Sequence, residues 1–173
     1  SPTRAQMLRA AGVPFTAAAA LVDEATIRAA LAAEGATPRD IADALAEAKA
    51  RKISARHPEA LVLGSDQVLA LEGKMIGKAQ TLQEAEARLT ELSGRTHHLH
   101  SAAVLYTNGQ PLWRVVETAS LTMHSLSPAY ISDYLARNWP DVADSVGTYR
   151  IEEEGARLFA SLSGDHFTIL GLP

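Results

Sequence analysis

Asn108-Gly109 limits the possible folds of this chain more than any other pair of residues. Asparagine and glycine accept a positive φ more readily than other residues, so side by side they form the two-residue turn of a β-hairpin. Leu99 to Tyr106 and Leu112 to Thr122 supply strand-forming residues on either side, and a long antiparallel hairpin is expected. Val68 to Ile76 repeats the pattern on a smaller scale, turning at Glu72-Gly73. Ala60 to Gly64 is a short apolar run of the buried-strand type, and Thr148 to Ile151 and Phe167 to Leu170 are expected as two further strands. Helix starts alternate with these segments. Thr37-Pro38-Arg39-Asp40 combines a cap, a first-turn proline and an early acid, opening a helix to about Arg56. Thr81-Leu82-Gln83-Glu84 is a capping box, followed by an apolar face of Leu82, Ala85, Leu89 and Leu92. Ser127-Pro128 opens a helix ending near Asn138, and residues 4–11 read as a shorter one. The expected architecture is α/β: a single domain with an extended mixed β-sheet flanked by helices.

Composition removes several classes of function. The chain has 173 residues, 47% of them hydrophobic, enough for one domain with its own core. An alanine-rich stretch from Ala17 to Ala33 inflates that fraction. No apolar run approaches the roughly 20 residues a membrane span requires. The absence of cysteine excludes disulfides, thiol catalysis and cysteine-ligated zinc. A net charge of −4 without a basic run argues against tracking along nucleic acid. With no charged-then-apolar leader visible, the expected address is the cytoplasm.

Several residues carry possible chemistry. Gly73 to Ala79 imitates a P-loop, but it is one residue short between its glycines, and Ala79 stands where the magnesium-binding hydroxyl belongs. Lys78 can still bring an ammonium to a phosphate just after a strand. Asp66 follows the apolar run 61–63 through Gly64-Ser65, at the carboxyl end of a strand, where α/β sheets place ligands. It can hold a metal, accept a proton from water, or merely cap a turn. His98 and His100 share one strand face at metal-ligand spacing, yet no acid nearby completes a set. Glu152-Glu153-Glu154 is an ordinary solvated acidic edge, unless one carboxylate points into a pocket to read a donor-rich base edge.

Taken together these segments resemble the Maf family, the septum-formation-inhibitor-like nucleoside triphosphate pyrophosphatases. The resemblance runs in order along the chain: Ser1-Pro2-Thr3-Arg4 with Gly12-Val13-Pro14-Phe15, then Val22-Asp23-Glu24, then Leu45 to Ala50 around Lys49. It continues with Gly64-Ser65-Asp66-Gln67-Val68, Ile76-Gly77-Lys78, Ser93 to His97, Gly164-Asp165 and Gly171-Leu172-Pro173. The implied fold is Maf/inosine-triphosphatase-like over residues 1–173, with the family's first strand and its C-terminal helix lacking. Departures are Ala5 in place of a second arginine, Ala79 in place of proline, and Asp144-Ser145-Val146-Gly147 in place of D-K-A-G.

The resemblance implies hydrolysis of a nucleoside triphosphate to the monophosphate and pyrophosphate. Arg4, Lys49 and Lys78 are then the phosphate-binding residues, Asp66 the general base, and Glu24 with Asp66 the ligands of Mg²⁺ or Mn²⁺, the divalent ions suited to oxygen donors. Base specificity falls to Thr3, Gln67 and Glu152. Gln67 and Glu152 look like the group acting on 7-methyl-GTP, while Thr3 lacks the aromatic ring that could stack there. The alternatives are a dTTP/UTP pyrophosphatase and a nucleotide-binding regulator of cell division with vestigial hydrolysis. A homodimer is the family-level expectation, with neither nucleic acid nor membrane as partner.

Overall fold

The computed structural model describes residues 1–173. Its elements in chain order are α1 (Pro2–Ala10), α2 (Glu24–Ala33), α3 (Pro38–Arg56), β1 (Val62–Leu71), β2 (Lys74–Ile76), α4 (Leu82–Leu92), β3 (Thr96–Thr107), β4 (Gln110–Met123), α5 (Pro128–Asn138), β5 (Phe159–Ser163) and α6 (His166–Leu170). Both hairpin turns form as their residues dictate. Asn108 and Gly109 take φ of 47° and 71°, and Glu72 and Gly73 take 51° and 76°, so each turn has positive φ at both central positions. The helix caps also form: Thr37 accepts from the Asp40 N–H at 3.2 Å, Thr81 from the Glu84 N–H at 3.1 Å, and Ser127 from the Tyr130 N–H at 3.1 Å.

The sheet runs in the order β2-β1-β3-β4-β5 and every pairing is antiparallel, so the α/β domain holds an antiparallel sheet where a mixed one was expected. Two of the expected strands do not exist. Thr148 to Ile151 lies in a turn region, and Phe167 to Leu170 belongs to α6, which Asp165 caps by accepting from the Thr168 N–H at 3.0 Å. A capping aspartate outweighs the β-branched and aromatic residues of so short a segment. The alanine-rich stretch likewise contains α2, capped by Asp23, which accepts from the Thr26 N–H at 3.1 Å.

Alternation along the strands splits the interior in two. On one face Val62, Val68, Ala102, Val104 and Tyr106 meet Ile41, Ala42, Leu45, Ala46 and Ala50 of α3. On the other, Leu69, Leu99, Leu121 and Met123 meet Leu89 and Leu92 of α4 and Ile131, Tyr134 and Leu135 of α5. Leu82, expected on the buried face of α4, remains 46% exposed at the helix's first turn. No helix is long and apolar enough to cross a membrane.

His97 lies wholly inside the second core, its Nε2 2.7 Å from the Tyr149 hydroxyl and its Nδ1 without a partner. Burial, with a smaller contribution from His98, depresses its pKa to about 4, so the imidazole is neutral at pH 7. The unfolded chain takes up this proton near pH 6.5 and the folded chain only near 4. Stability tied to His97 is therefore complete above pH 6.5 and lost as the pH falls towards 4, by at most about 3 kcal/mol. Urea denaturation from pH 7 to 4.5 is expected to show wild type losing more stability than His97→Gln; parallel pH profiles for the two proteins would exclude this role.

Candidate active site

The site begins where α3 rests on β1. Gly64 has no side chain, and a Cβ built there would lie 2.2 Å from the Ala46 carbonyl oxygen and 2.7 Å from the Ala50 Cβ. Helix and strand therefore touch backbone to backbone, and Lys49, between those two alanines, reaches the side chain two residues beyond Gly64. Its Nζ donates to Asp66 Oδ1 at 2.7 Å. Asp66 is 5% exposed and paired with Ala102. It sits in the middle of β1, not at the end of a short strand, because the strand continues unbroken to Leu71.

Glu24, the first residue of α2, completes a compact ionic cluster. It pairs with Lys49 at 2.9 Å and with Arg28, one turn along its own helix, at 3.0 Å. Burial works to raise the Glu24 carboxyl, but the hydrogen bond and charge of Lys49, helped by Arg28, hold it below its ordinary value. The Arg28 guanidinium lies 3.9 Å from Asp66 Oδ2, a buried oxygen that makes no hydrogen bond. Arg4 approaches from α1, its Nε donating to the Gly171 carbonyl at 2.7 Å. Burial lowers the Arg4 pKa, opposed by the charges of Asp66 and Glu24. Lys78 lies exposed just beyond β2, and all these side chains line one cavity of about 350 Å³.

Structure thus brings Arg4, Glu24, Lys49, Asp66 and Lys78 together, with Thr3, Gln67 and Glu152 on the wall of the same cavity. Gln67 faces the opposite side of β1 from Lys49, and its amide nitrogen donates to Ser101 Oγ, the Thr168 carbonyl and the Ile169 carbonyl at 3.0, 3.1 and 3.0 Å. Glu152 is exposed at the cavity, whereas Glu153 and Glu154 are engaged by Arg150 and Arg137. Sequence reasoning missed Arg28, which the Glu24–Arg28 spacing of four on one helix could have signalled. Of the wall formed by residues 144–152 it placed only Glu152 at the site and read 148–151 as a strand; the segment is fixed from beneath by the Tyr149–His97 bond and by the Tyr134 hydroxyl donating to the Thr148 carbonyl at 3.1 Å. No group of three or more histidine or acidic side chains is arranged to hold a metal. His98 and His100 stack at 6.4 Å, and His100 Nδ1 is bonded to Thr118 Oγ1 at 2.9 Å. Four carboxylates line the cavity, Glu24, Asp66, Asp144 and Glu152, and Asp66 presents a buried Oδ2 that makes no hydrogen bond.

A buried carboxylate in a cavity lined by Arg4, Arg28, Lys49, Lys78 and Arg150, at the surface of an antiparallel α/β domain, suits a polyanion. The chain belongs to the Maf-like protein family, whose match spans residues 1–173. It is 54% identical over 173 residues to a nucleoside triphosphate pyrophosphatase of Ruegeria pomeroyi, covering 100% of this chain and 87% of that protein. It is 51% identical over 173 residues to the protein of the same name from Caulobacter vibrioides, covering 100% and 86%. A 7-methyl-GTP pyrophosphatase of Brucella abortus is 43% identical over 173 residues, covering 100% and 87%.

Close packing at Gly64 carries the geometry of the cluster, so Gly64→Ala is expected to push α3 away from β1. The cost should be about 1–3 kcal/mol, as in overpacked cores. Gly77→Ala is the control, because nothing lies within 4 Å of a Cβ built there. Equal urea midpoints for the two variants would show that the helix yields freely.

Proposed function

We propose that this chain hydrolyses nucleoside triphosphates to the monophosphate and pyrophosphate, breaking the α–β phosphoanhydride. The observation that carries the reading is Asp66 Oδ2, a buried oxygen that makes no hydrogen bond, in a cavity bearing Arg4, Arg28, Lys49 and Lys78. The names borne by the relatives point the same way. Lys78, with no carboxylate partner, and Arg4 would neutralise the triphosphate and the charge that builds on leaving pyrophosphate. Lys49 holds Asp66 through Oδ1, which leaves Oδ2 to take a proton from the attacking water. A carboxylate is a weak base towards neutral water, so the water needs further activation.

Mg²⁺ or Mn²⁺ fits this donor set. Both are oxygen-seeking ions bound through one or two carboxylates plus substrate phosphates, and Glu24 with Asp66 Oδ2 would hold one here. When bound, such an ion polarises phosphoryl oxygen and water.

For the base, we infer a preference for 7-methyl-GTP. Glu152 is exposed at the cavity wall, and a carboxylate accepts from both N1–H and N2–H of guanine while its charge suits the cationic methylated ring. One relative bears the name of that activity.

Pyrophosphate release from a panel of nucleotides, with and without Mg²⁺, tests the reaction. Asp66→Asn is expected to lose on the order of 10²–10⁴-fold in rate, as for a missing general base; a variant keeping half the wild-type rate removes Asp66 from the mechanism. Glu152→Gln is expected to lower kcat/KM for 7-methyl-GTP by roughly 5- to 150-fold, the cost of one unmatched buried donor pair. UTP turnover should hold or rise, since an amide matches its O4 and N3–H. Wild type preferring UTP or dTTP, or an unchanged ratio in the variant, refutes the guanine-reading role.

A further inference from the structure

A second chamber of about 410 Å³ adjoins the cationic one and shares Thr3, Glu152 and Leu170 with it. Its character is opposite. Beyond the shared residues its wall is mostly apolar: Met7, Ala10 and Ala11 from the α1 side, and Phe167 from α6. Thr3, Met7 and Ala10 are spaced so that they lie along one line of α1. Phe167 is 56% exposed, although the helix carrying it is firmly anchored. Its neighbours Thr168 and Ile169 are buried, Ser101 donates to the Thr168 carbonyl at 2.7 Å, and Gln67 donates to both carbonyls. An anchored helix thus presents an aromatic ring at the edge of an apolar hollow, with a single carboxylate at the junction to the cationic cavity.

We propose that this chamber is the nucleobase subsite and that Phe167 is the platform on which the base stacks. The inference rests on the reading of the substrate as a nucleotide. Such a molecule joins a polyanion to a flat aromatic ring, and the two chambers match those parts in order. Base–aromatic stacking accepts any base because every base has a π-face, and the Met7 thioether is a good neighbour for such a ring. Selection among bases then falls to Glu152 at the shared edge, which meets the polar rim of a stacked ring.

Phe167→Ala separates the chambers experimentally. Stacking on an aromatic is lost with the ring, so kcat/KM for every nucleotide is expected to fall by about 5- to 150-fold, chiefly through KM. Inhibition by inorganic tripolyphosphate, which probes the cationic chamber alone, should keep its Ki. Phe167→Trp should retain turnover and add an indole whose fluorescence is quenched by nucleoside monophosphate, measured against wild type. Unchanged kcat/KM in Phe167→Ala, an equal loss of tripolyphosphate affinity, or no quenching in Phe167→Trp would overturn the proposal. Absence of nucleotide hydrolysis by wild type would instead defeat the functional reading, and the quenching titration would still decide the subsite.

Discussion

Everything in the site depends on α3 lying directly against β1. Ala46 and Ala50 on the helix and Gly64 on the strand remove the side chains that would normally hold such elements apart. At that separation a lysine can place its ammonium 2.7 Å from a carboxylate that projects into the helix–sheet interface. The dependence is mutual. A carboxylate as buried as Asp66 is costly unless paired, and taking one partner from such a pair commonly costs about 3–5 kcal/mol. The packing that brings Lys49 to Asp66 therefore also supplies the partner that a buried carboxylate requires.

Charge is distributed against the average of the chain. The protein carries a net charge of −4, yet Arg4, Arg28, Lys49 and Lys78 converge on a cavity whose inner carboxylates are Glu24 and Asp66. Lys49 is spent on both carboxylates and Arg28 on Glu24, while Lys78 is paired with none. The cluster thus contains cations that organise the acids and a cation without an acidic partner. Arg4 stands between these roles, since one of its donors holds the Gly171 carbonyl and its pKa falls with burial. The carbonyl of a left-handed glycine, φ 110°, close to the end of the chain is in this way tied to the first helix, and the two walls of the cavity are fixed to each other.

Much of this was legible in the sequence, and the remainder shows where local rules stop. The turns at Asn108-Gly109 and Glu72-Gly73 and the caps at Thr37, Thr81 and Ser127 depend on residues within a few positions of one another, and each formed as read. Lys49 and Asp66, far apart along the chain, were grouped only through resemblance to a family, because no spacing rule brings a mid-helix lysine to a mid-strand aspartate. Reading Asp66 at a strand end failed because the apolar run gives way at Gly64-Ser65; in the fold the Ser65 and Gln67 side chains bond to the segment carrying α6, and the strand runs on. Phe167 to Leu170 resembled a strand by composition, but one capping aspartate and contacts to Ser101 and Gln67 set it as helix. The wall 144–152 has no regular pattern at all. It is held by the buried His97–Tyr149 and Tyr134–Thr148 bonds, whose partners come from β3 and α5.

Gln67 ties the cavity wall to α6 through its side-chain nitrogen. A side-chain amide has two hydrogens on nitrogen, and here that nitrogen is shared among three acceptors, so it has little left to donate to a base. Two of those acceptors are carbonyls of α6, the helix that carries Phe167 and Leu170. Gln67 and Asp66 are neighbours on one strand and point to opposite faces of the sheet, so a single stretch of β1 holds Lys49 on one side and α6 on the other. The ionic cluster and the apolar chamber are thereby fixed to the same backbone. A change at Gln67 would reach the chamber by moving α6, whereas Glu152, exposed at the junction of the two cavities, is free to meet a ligand directly.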